Sequence, residues 1–233
     1  MILVLGGTSV THGILAELAA DYMVTVATDY GYREFSNKYG ERVLHTRFTQ
    51  ESLTDFITKH GVTEIIDTTH PFAREITTLA KETAAKLDIK YTDKIRPTAR
   101  LNDSEIIKTV TSYEEAAELL KTGGYAHILF TIGGNNIEKF VDFAHCGYAR
   151  VLPYEKSIEK CVNAGFDRSR IIALQGPFSA EFNEAICREY KIDCVVTKNS
   201  GEGSGFDEKL EACLLLAIPL IVINPPQEET TRL

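Results

Sequence analysis

No stretch of this chain stays apolar for long enough to span a bilayer. The longest run near the end, Leu214 to Ile223, is broken by Pro219 and falls short of the roughly 20 residues that a membrane helix needs. A membrane is therefore not an expected partner. The opening Met1-Ile2-Leu3-Val4-Leu5 lacks the basic lead and the length of an export signal. It reads as a buried strand, and the expected location is cytoplasmic. Basic residues are also in deficit, 25 against 33 acidic ones, for a net charge of -8. Nucleic acid, whose binding needs a basic face, is not an expected partner. A local basic pocket for an anionic small molecule remains compatible with that total. No Cys-x-x-Cys pair occurs among the five cysteines Cys146, Cys161, Cys187, Cys194 and Cys213, so reduced, mostly buried thiols are expected. No His-x-His or His-Glu-x-x-His is present, and no metal is expected. The absence of Gly-x-Ser-x-Gly argues against a hydrolase.

What the chain does have is an ordinary globular composition, 44% hydrophobic and 25% charged. Apolar, β-branched runs at 2–5, 23–27, 64–67, 106–110, 128–132, 150–152, 171–174, 194–197 and 220–223 are mostly apolar at consecutive positions. That pattern predicts strands covered on both faces, as in parallel sheets. Helix-like stretches lie between them at 11–20, 74–87, 112–121, 179–190 and 207–217. Ser112, followed three residues on by Glu115, reads as a capping box. The alternation predicts an α/β fold of two Rossmann-like, doubly wound domains. The best break is the segment 94–105, with Arg96-Pro97 and the polar Asn102-Asp103-Ser104. It gives an N-terminal domain over 1–98, a C-terminal domain over 99–233 and an expected cleft between them. The last residues, from Pro225 to Leu233, are expected to fray. No apolar helix face stands out for a dimer, so a monomer is the expectation.

Several segments sit where a strand gives way to a helix, the edge along which open α/β sheets bind ligands. Leu5-Gly6-Gly7-Thr8-Ser9 can offer backbone N–H groups and hydroxyls to a phosphate, or be a merely tight turn. Thr28-Asp29 ends the second strand, where an acid commonly holds a ribose 2′-hydroxyl, and Arg33 nearby would suit a 2′-phosphate. Asp67 and His70, in Asp67-Thr68-Thr69-His70-Pro71-Phe72-Ala73, are candidates for acid–base work, or a helix cap and a loop histidine. Thr131-Ile132-Gly133-Gly134-Asn135 repeats the strand-then-glycine design, and Gln175-Gly176-Pro177-Phe178-Ser179 is a further strand-to-helix turn. Thr197-Lys198-Asn199-Ser200-Gly201, continuing to Gly205, reads as an anion cradle or a flexible loop. Arg96, Arg100, Arg150 and Lys198 near strand ends would welcome a carboxylated ligand.

Taken in order, these stretches resemble the precorrin-6A reductases of cobalamin biosynthesis, including the cobalt-precorrin-6A reductases of the anaerobic route. The matching set is Leu5-Gly6-Gly7-Thr8, Asp67-x-Thr69-His70-Pro71-Phe72-Ala73, Arg96-Pro97, Ala149 to Pro153, Gln175 to Ser179 with Asn183, and Thr197-Lys198-x-Ser200-Gly201 with Gly205 and Lys209. The resemblance implies an NADPH- or NADH-dependent reductase that converts precorrin-6A to precorrin-6B, with an anionic macrocyclic tetrapyrrole as substrate. It implies that Gly6, Gly7, Thr8 and Ser9 hold the cofactor diphosphate and that Thr28 and Asp29 border its ribose. Thr131 and Gly133 would lie toward the nicotinamide. Arg96, Arg150, Lys198, Ser200 and Gly201 would hold substrate carboxylates or phosphate, and His70, with Asp67, is the first choice for proton transfer, with bulk water as the alternative. The chain departs from the family pattern at His12, Asp93 and Asn224, where the family usually has arginine or, at the first, another long side chain. Two other readings stay open at this point. One is a uroporphyrinogen-III synthase-like enzyme without nicotinamide, and the other is a two-lobed small-ligand binding protein.

Overall fold

Consecutive apolar residues are satisfied only where both faces of a strand are covered, and every strand ladder here is parallel. The computed structural model describes residues 1–226. The end of the expected frayed tail, residues 227–233, lies outside the described residues. The chain divides into two compact units, the first Met1–Pro97 and the second beginning at Thr98.

The first unit runs β1 (Ile2–Leu5), α1 (Ser9–Glu17), β2 (Tyr22–Val26), α2 (Asp29–Tyr39), β3 (Val43–His45), α3 (Gln50–His60), β4 (Glu64–Asp67), α4 (Arg74–Lys86) and β5 (Lys90–Asp93). Its sheet has the order β3-β2-β1-β4-β5. The chain winds outward from β1 to β3, then returns to lay β4 on the other side of β1. The loops that leave β1 and β4 therefore flank a topological switch point. Strand alternation sorts the core: Leu3 and Leu5 pack with Leu53 and Ile57 of α3 and Ala80 of α4. Val4 faces the other way, toward Leu15 of α1 and Phe35 of α2.

The second unit runs β6 (Ile107–Val110), α5 (Tyr113–Gly123), β7 (Ile128–Thr131), β8 (Gly147–Val151), α6 (Glu155–Asn163), β9 (Ile171–Ala173), α7 (Ala180–Glu189), β10 (Cys194–Lys198), α8 (Phe206–Leu216) and β11 (Leu220–Ile223). Its order is β6-β11-β10-β7-β8-β9, which puts the switch point between β7 and β10. Residues Gly134–Phe143, between β7 and β8, form a 3-10 segment kinked at Asn136 and Phe140 rather than an α-helix. Buried Asn199 ties the entry of the unit to this sheet. Its side chain accepts from Ala99 N at 2.9 Å and donates to Ala99 O at 2.8 Å and to Asn224 Oδ1 at 2.9 Å.

Two strands and three helices were not expected from the sequence. β3 buries only Val43, and β5, Lys-Tyr-Thr-Asp, is a polar edge strand with no fully buried residue. Neither offers an apolar run. α2 buries Gly31 and Phe35, α3 buries Leu53 and Ile57, and α6 buries Cys161 alone. Such thin stripes leave little periodic signal.

All five cysteines are buried free thiols. Desolvation pushes Cys161 and Cys187 up to about 11 and Cys213 up to about 12, and also raises Cys146 and Cys194. A thiolate is the reactive form. The folded protein is therefore expected to give no fast reaction with a thiol reagent such as DTNB at pH 8, and five equivalents after unfolding. A fast equivalent from native protein would show an accessible thiol.

Candidate active site

In the first unit, threonines join the two switch-point loops. Thr8 Oγ1 donates to Thr68 O at 2.8 Å. Thr68 Oγ1 donates to Leu5 O at 2.8 Å and shares a 2.9 Å hydrogen bond with Thr11 Oγ1. Thr8 N donates to Thr11 Oγ1 at 3.2 Å. These bonds hold the glycine turn at the start of α1, where the Thr11 N–H donates to Thr8 O at 3.1 Å and the N–H groups of the first two helical residues, Ser9 and Val10, have no acceptor inside the helix. Gly7 adopts φ +114°, and a Cβ there would meet nothing within 4 Å, so the backbone is open to close approach. Arg96 Nη1 reaches Ser9 Oγ at 3.3 Å, while its Nε is buried with no partner. A bare loop, a helix start and an incompletely satisfied guanidinium together suit a phosphate group. The structure thus groups Arg96 with Gly6, Gly7, Thr8 and Ser9.

At the end of β2, Thr28 caps α2, its hydroxyl accepting from Gly31 N at 3.1 Å. Asp29 lies in the first turn of α2, with an oxygen 3.6 Å from His45 Nδ1. Arg33 is one turn further along the same helix.

Asp67 is fully buried. Its Oδ1 accepts from Thr69 N at 2.9 Å and Thr69 Oγ1 at 2.7 Å. Its Oδ2 accepts from Thr77 Oγ1 at 2.8 Å and Tyr91 OH at 2.9 Å. A carboxyl group so enclosed anchors β4, α4 and β5 to one another, and this geometry favours a positioning role over proton transfer. His70 is half-buried, and its Nδ1 accepts from Phe72 N at 3.2 Å. An N–H aimed at Nδ1 requires the lone pair there, so the neutral ring carries its proton on Nε2. In this arrangement His70 is a hydrogen-bond donor through Nε2, and becoming an imidazolium would break the Phe72 contact.

In the second unit, Arg150 of β8 is buried. Its Nη1 donates to Asn183 Oδ1 at 2.8 Å, and the guanidinium lies 4.9 Å from the centre of the Phe178 ring. Asn183 Nδ2 in turn donates to Ser179 O at 2.7 Å, at the cap of α7. Burial pulls Arg150 down to about 10. Burial also pulls Lys198 of β10 and Lys209 of α8 down to about 8, with the positive charge of Arg150 adding to the effect on Lys209. Lys209 donates to Gly205 O. Gly205 has φ +75°, and a Cβ on it would come within 3.3 Å of Pro177, so glycine lets the β10 loop lie against the β9 loop. Gly201 O accepts from Ser204 N at 3.3 Å, and Ser200 Oγ donates to Lys198 O at 3.5 Å. Thr131 Oγ1 donates to Val196 O at 3.1 Å. Gly133, with φ +78°, leads into the 3-10 segment, so this turn lacks the α-helix start that follows Gly7. A buried Arg150 whose guanidinium meets an amide oxygen, and a half-buried Lys209 that meets a carbonyl, are cations suited to an anionic ligand.

The sequence reading matched Asn183 and Lys209 to the family set without giving either a role, and it did not bring out Thr77 or Tyr91 as donors to Asp67. The signal for Asn183 was its place one turn after the Ser179 cap. Nothing local marks Tyr91 as a partner of Asp67, 24 residues away. Among the described residues, no cluster of three or more His, Cys, Asp or Glu side chains is disposed to hold a metal, and no helix is long and apolar enough to cross a membrane.

The family model described as "Precorrin-6x reductase CbiJ/CobK" matches residues 1–233. The chain belongs to this family. It is thereby an oxidoreductase of cobalamin biosynthesis. A cobalt-precorrin-6A reductase of Priestia megaterium is 35% identical over 98% of this chain and 92% of its own length. One from Methanocaldococcus jannaschii is 34% identical, covering 97% and 90%. A precorrin-6A reductase of Rhodococcus erythropolis is 31% identical, covering 98% and 92%. A solved structure described as CobK precorrin-6A reductase superposes with a TM-score of 0.77 at 23% identity, over 97% of this chain and 88% of that one. That likeness is one of fold.

Proposed function

We propose that the chain reduces one ring double bond of precorrin-6A, or its cobalt form, to give the 6B product at the expense of NADH or NADPH. The observation that carries this reading is a set of three cations in the second unit, the buried Arg150 of β8 and the half-buried Lys198 of β10 and Lys209 of α8. They suit a polycarboxylated macrocycle despite a net charge of -8. Gly6, Gly7, Thr8, Ser9 and Arg96 would hold the diphosphate, and Thr28 and Asp29 would border the ribose. When bound, the nicotinamide supplies the two-electron reducing equivalent. Thr131 and Gly133 remain proposed contacts on the nicotinamide side. Arg150, Lys198, Ser200 and Gly201 would receive substrate carboxylates. His70 Nε2–H would orient the substrate, and the proton added to the ring would come from solvent. The proposed setting of the reaction is the cytoplasm.

The test is calorimetric titration with NADPH and NADH separately, followed by turnover of enzymatically prepared precorrin-6A and cobalt-precorrin-6A. Micromolar binding of one nucleotide and its oxidation on adding the macrocycle are expected. A folded protein that binds neither nucleotide, alone or with the macrocycle, would overturn the proposal and favour a tetrapyrrole enzyme without nicotinamide.

The lysines also predict a pH profile. Both lose charge as pH rises through about 8, well before an ordinary lysine at 10.5. At saturating nucleotide, kcat/KM for the macrocycle reports groups of the macrocycle-free enzyme. It should therefore fall above pH 8, while kcat changes less because a bound carboxylate holds the ammonium charged. A flat kcat/KM from pH 7 to 9.5 would remove Lys198 and Lys209 from carboxylate binding.

A further inference from the structure

We infer that Leu152, Leu174, Phe178 and Phe182 form an apolar seat in the second unit for the flat face of the tetrapyrrole ring, beside the Arg150 that takes a carboxylate at its margin. This rests on the reading of the chain as a precorrin-6A reductase. The argument begins with register. In the β8–β9 ladder, Arg150 lies opposite Ile172 and Val151 opposite Ala173. Side chains alternate along a strand, so Leu152 returns to the side of Arg150, and Leu174 to the side of Ile172. Leu174 N still donates to Val151 O, at 3.0 Å, so the pairing geometry extends that far.

That side of the sheet is the one covered by α7. Arg150 bonds to Asn183 there, and Ile172 packs in one cluster with Ile186 and Cys187. At the head of α7, Phe178 covers the Arg150 guanidinium. Phe182 stacks on Phe178, with ring centres 4.8 Å apart and planes 19° apart. Yet Leu152 and Leu174 are each 40% exposed and Phe182 is 38% exposed. Large apolar side chains left bare together at a strand-end rim mark a binding surface rather than scattered surface residues. Their chemistry calls for a flat apolar plate, and the buried cation beneath calls for an anionic group attached to it. A carboxylated macrocycle has both. A nucleotide presents its phosphates and ribose first, and those find their counterparts in the glycine turn and Arg96.

The test uses the full chain and the macrocycle in the absence of reductant, so that binding is read without turnover. Phe182→Ser, Leu152→Ser and Leu174→Ser should each weaken macrocycle binding by about tenfold, and leave nucleotide affinity within about twofold of wild type. Phe182→Leu and Leu174→Met, which keep apolar area, should restore most of the affinity. Unchanged folding is checked by far-UV circular dichroism. Three serine variants that bind the macrocycle as wild type does would overturn the seat. So would a loss of nucleotide affinity in its place, or a wild-type dimer that the serine variants dissociate, which would make a second copy the occupant. Failure of the wild type itself to bind the macrocycle would instead overturn the proposed function.

Discussion

Replacing Asp67 by alanine is expected to lower the free energy of unfolding by about 3–5 kcal/mol. The carboxyl group accepts one backbone N–H and three hydroxyls, from Thr69, Thr77 and Tyr91, with no exposure to water. Alanine would take the acceptor from all four donors; the Thr69 and Thr77 hydroxyls keep their mutual 3.3 Å hydrogen bond, and each buried group left unsatisfied costs about 1–3 kcal/mol, reduced by whatever the site can relax. Asp67→Asn keeps one acceptor oxygen and should fall between wild type and alanine. Urea unfolding followed by circular dichroism measures both. An alanine variant within about 1 kcal/mol of wild type would contradict the anchoring role and return Asp67 to candidacy for proton transfer.

The second large effect is expected at Arg150. Arg150→Met should weaken macrocycle binding by about 30–150-fold, the loss of a charged hydrogen bond worth about 2–3 kcal/mol. Stability should move far less, by under about 1 kcal/mol, because a buried cation without a carboxylate partner is itself costly and a long apolar chain fills its volume. The orphaned Asn183 oxygen opposes that gain. The diagnostic result is the split: binding lost, unfolding midpoint nearly kept, nucleotide affinity unchanged. An equal loss of stability, with macrocycle affinity intact, would make Arg150 a structural residue.

The central strands of both sheets were legible because they are apolar on both sides. Ile2–Leu5, Glu64–Asp67 and Leu220–Ile223 run where the apolar pattern puts them. The edges were not, since β3 and β5 bury too little to leave a pattern. At the site, the glycine turn and the strand-end cations could be read from spacing alone. Their partners could not. Asn183 meets Arg150 across 33 residues, and Arg96 meets Ser9 across 87. Long-range partners depend on how the sheets are wound, and no local window of sequence contains that information. Asp67 is the clearest case: an acid at a strand end reads equally as catalyst or anchor until its neighbours are known.

The strand orders also bear on how the chain reaches its native state. Each sheet takes its strands from one continuous stretch: β1 to β5 end at Asp93, and β6 begins at Ile107. During synthesis, every strand of the first sheet has been made before the first strand of the second is translated. Domains generally fold as units, the N-terminal one first, as the nascent chain grows. Neither sheet has to wait for a strand from the other, so the ribosome can release this protein one finished layer at a time.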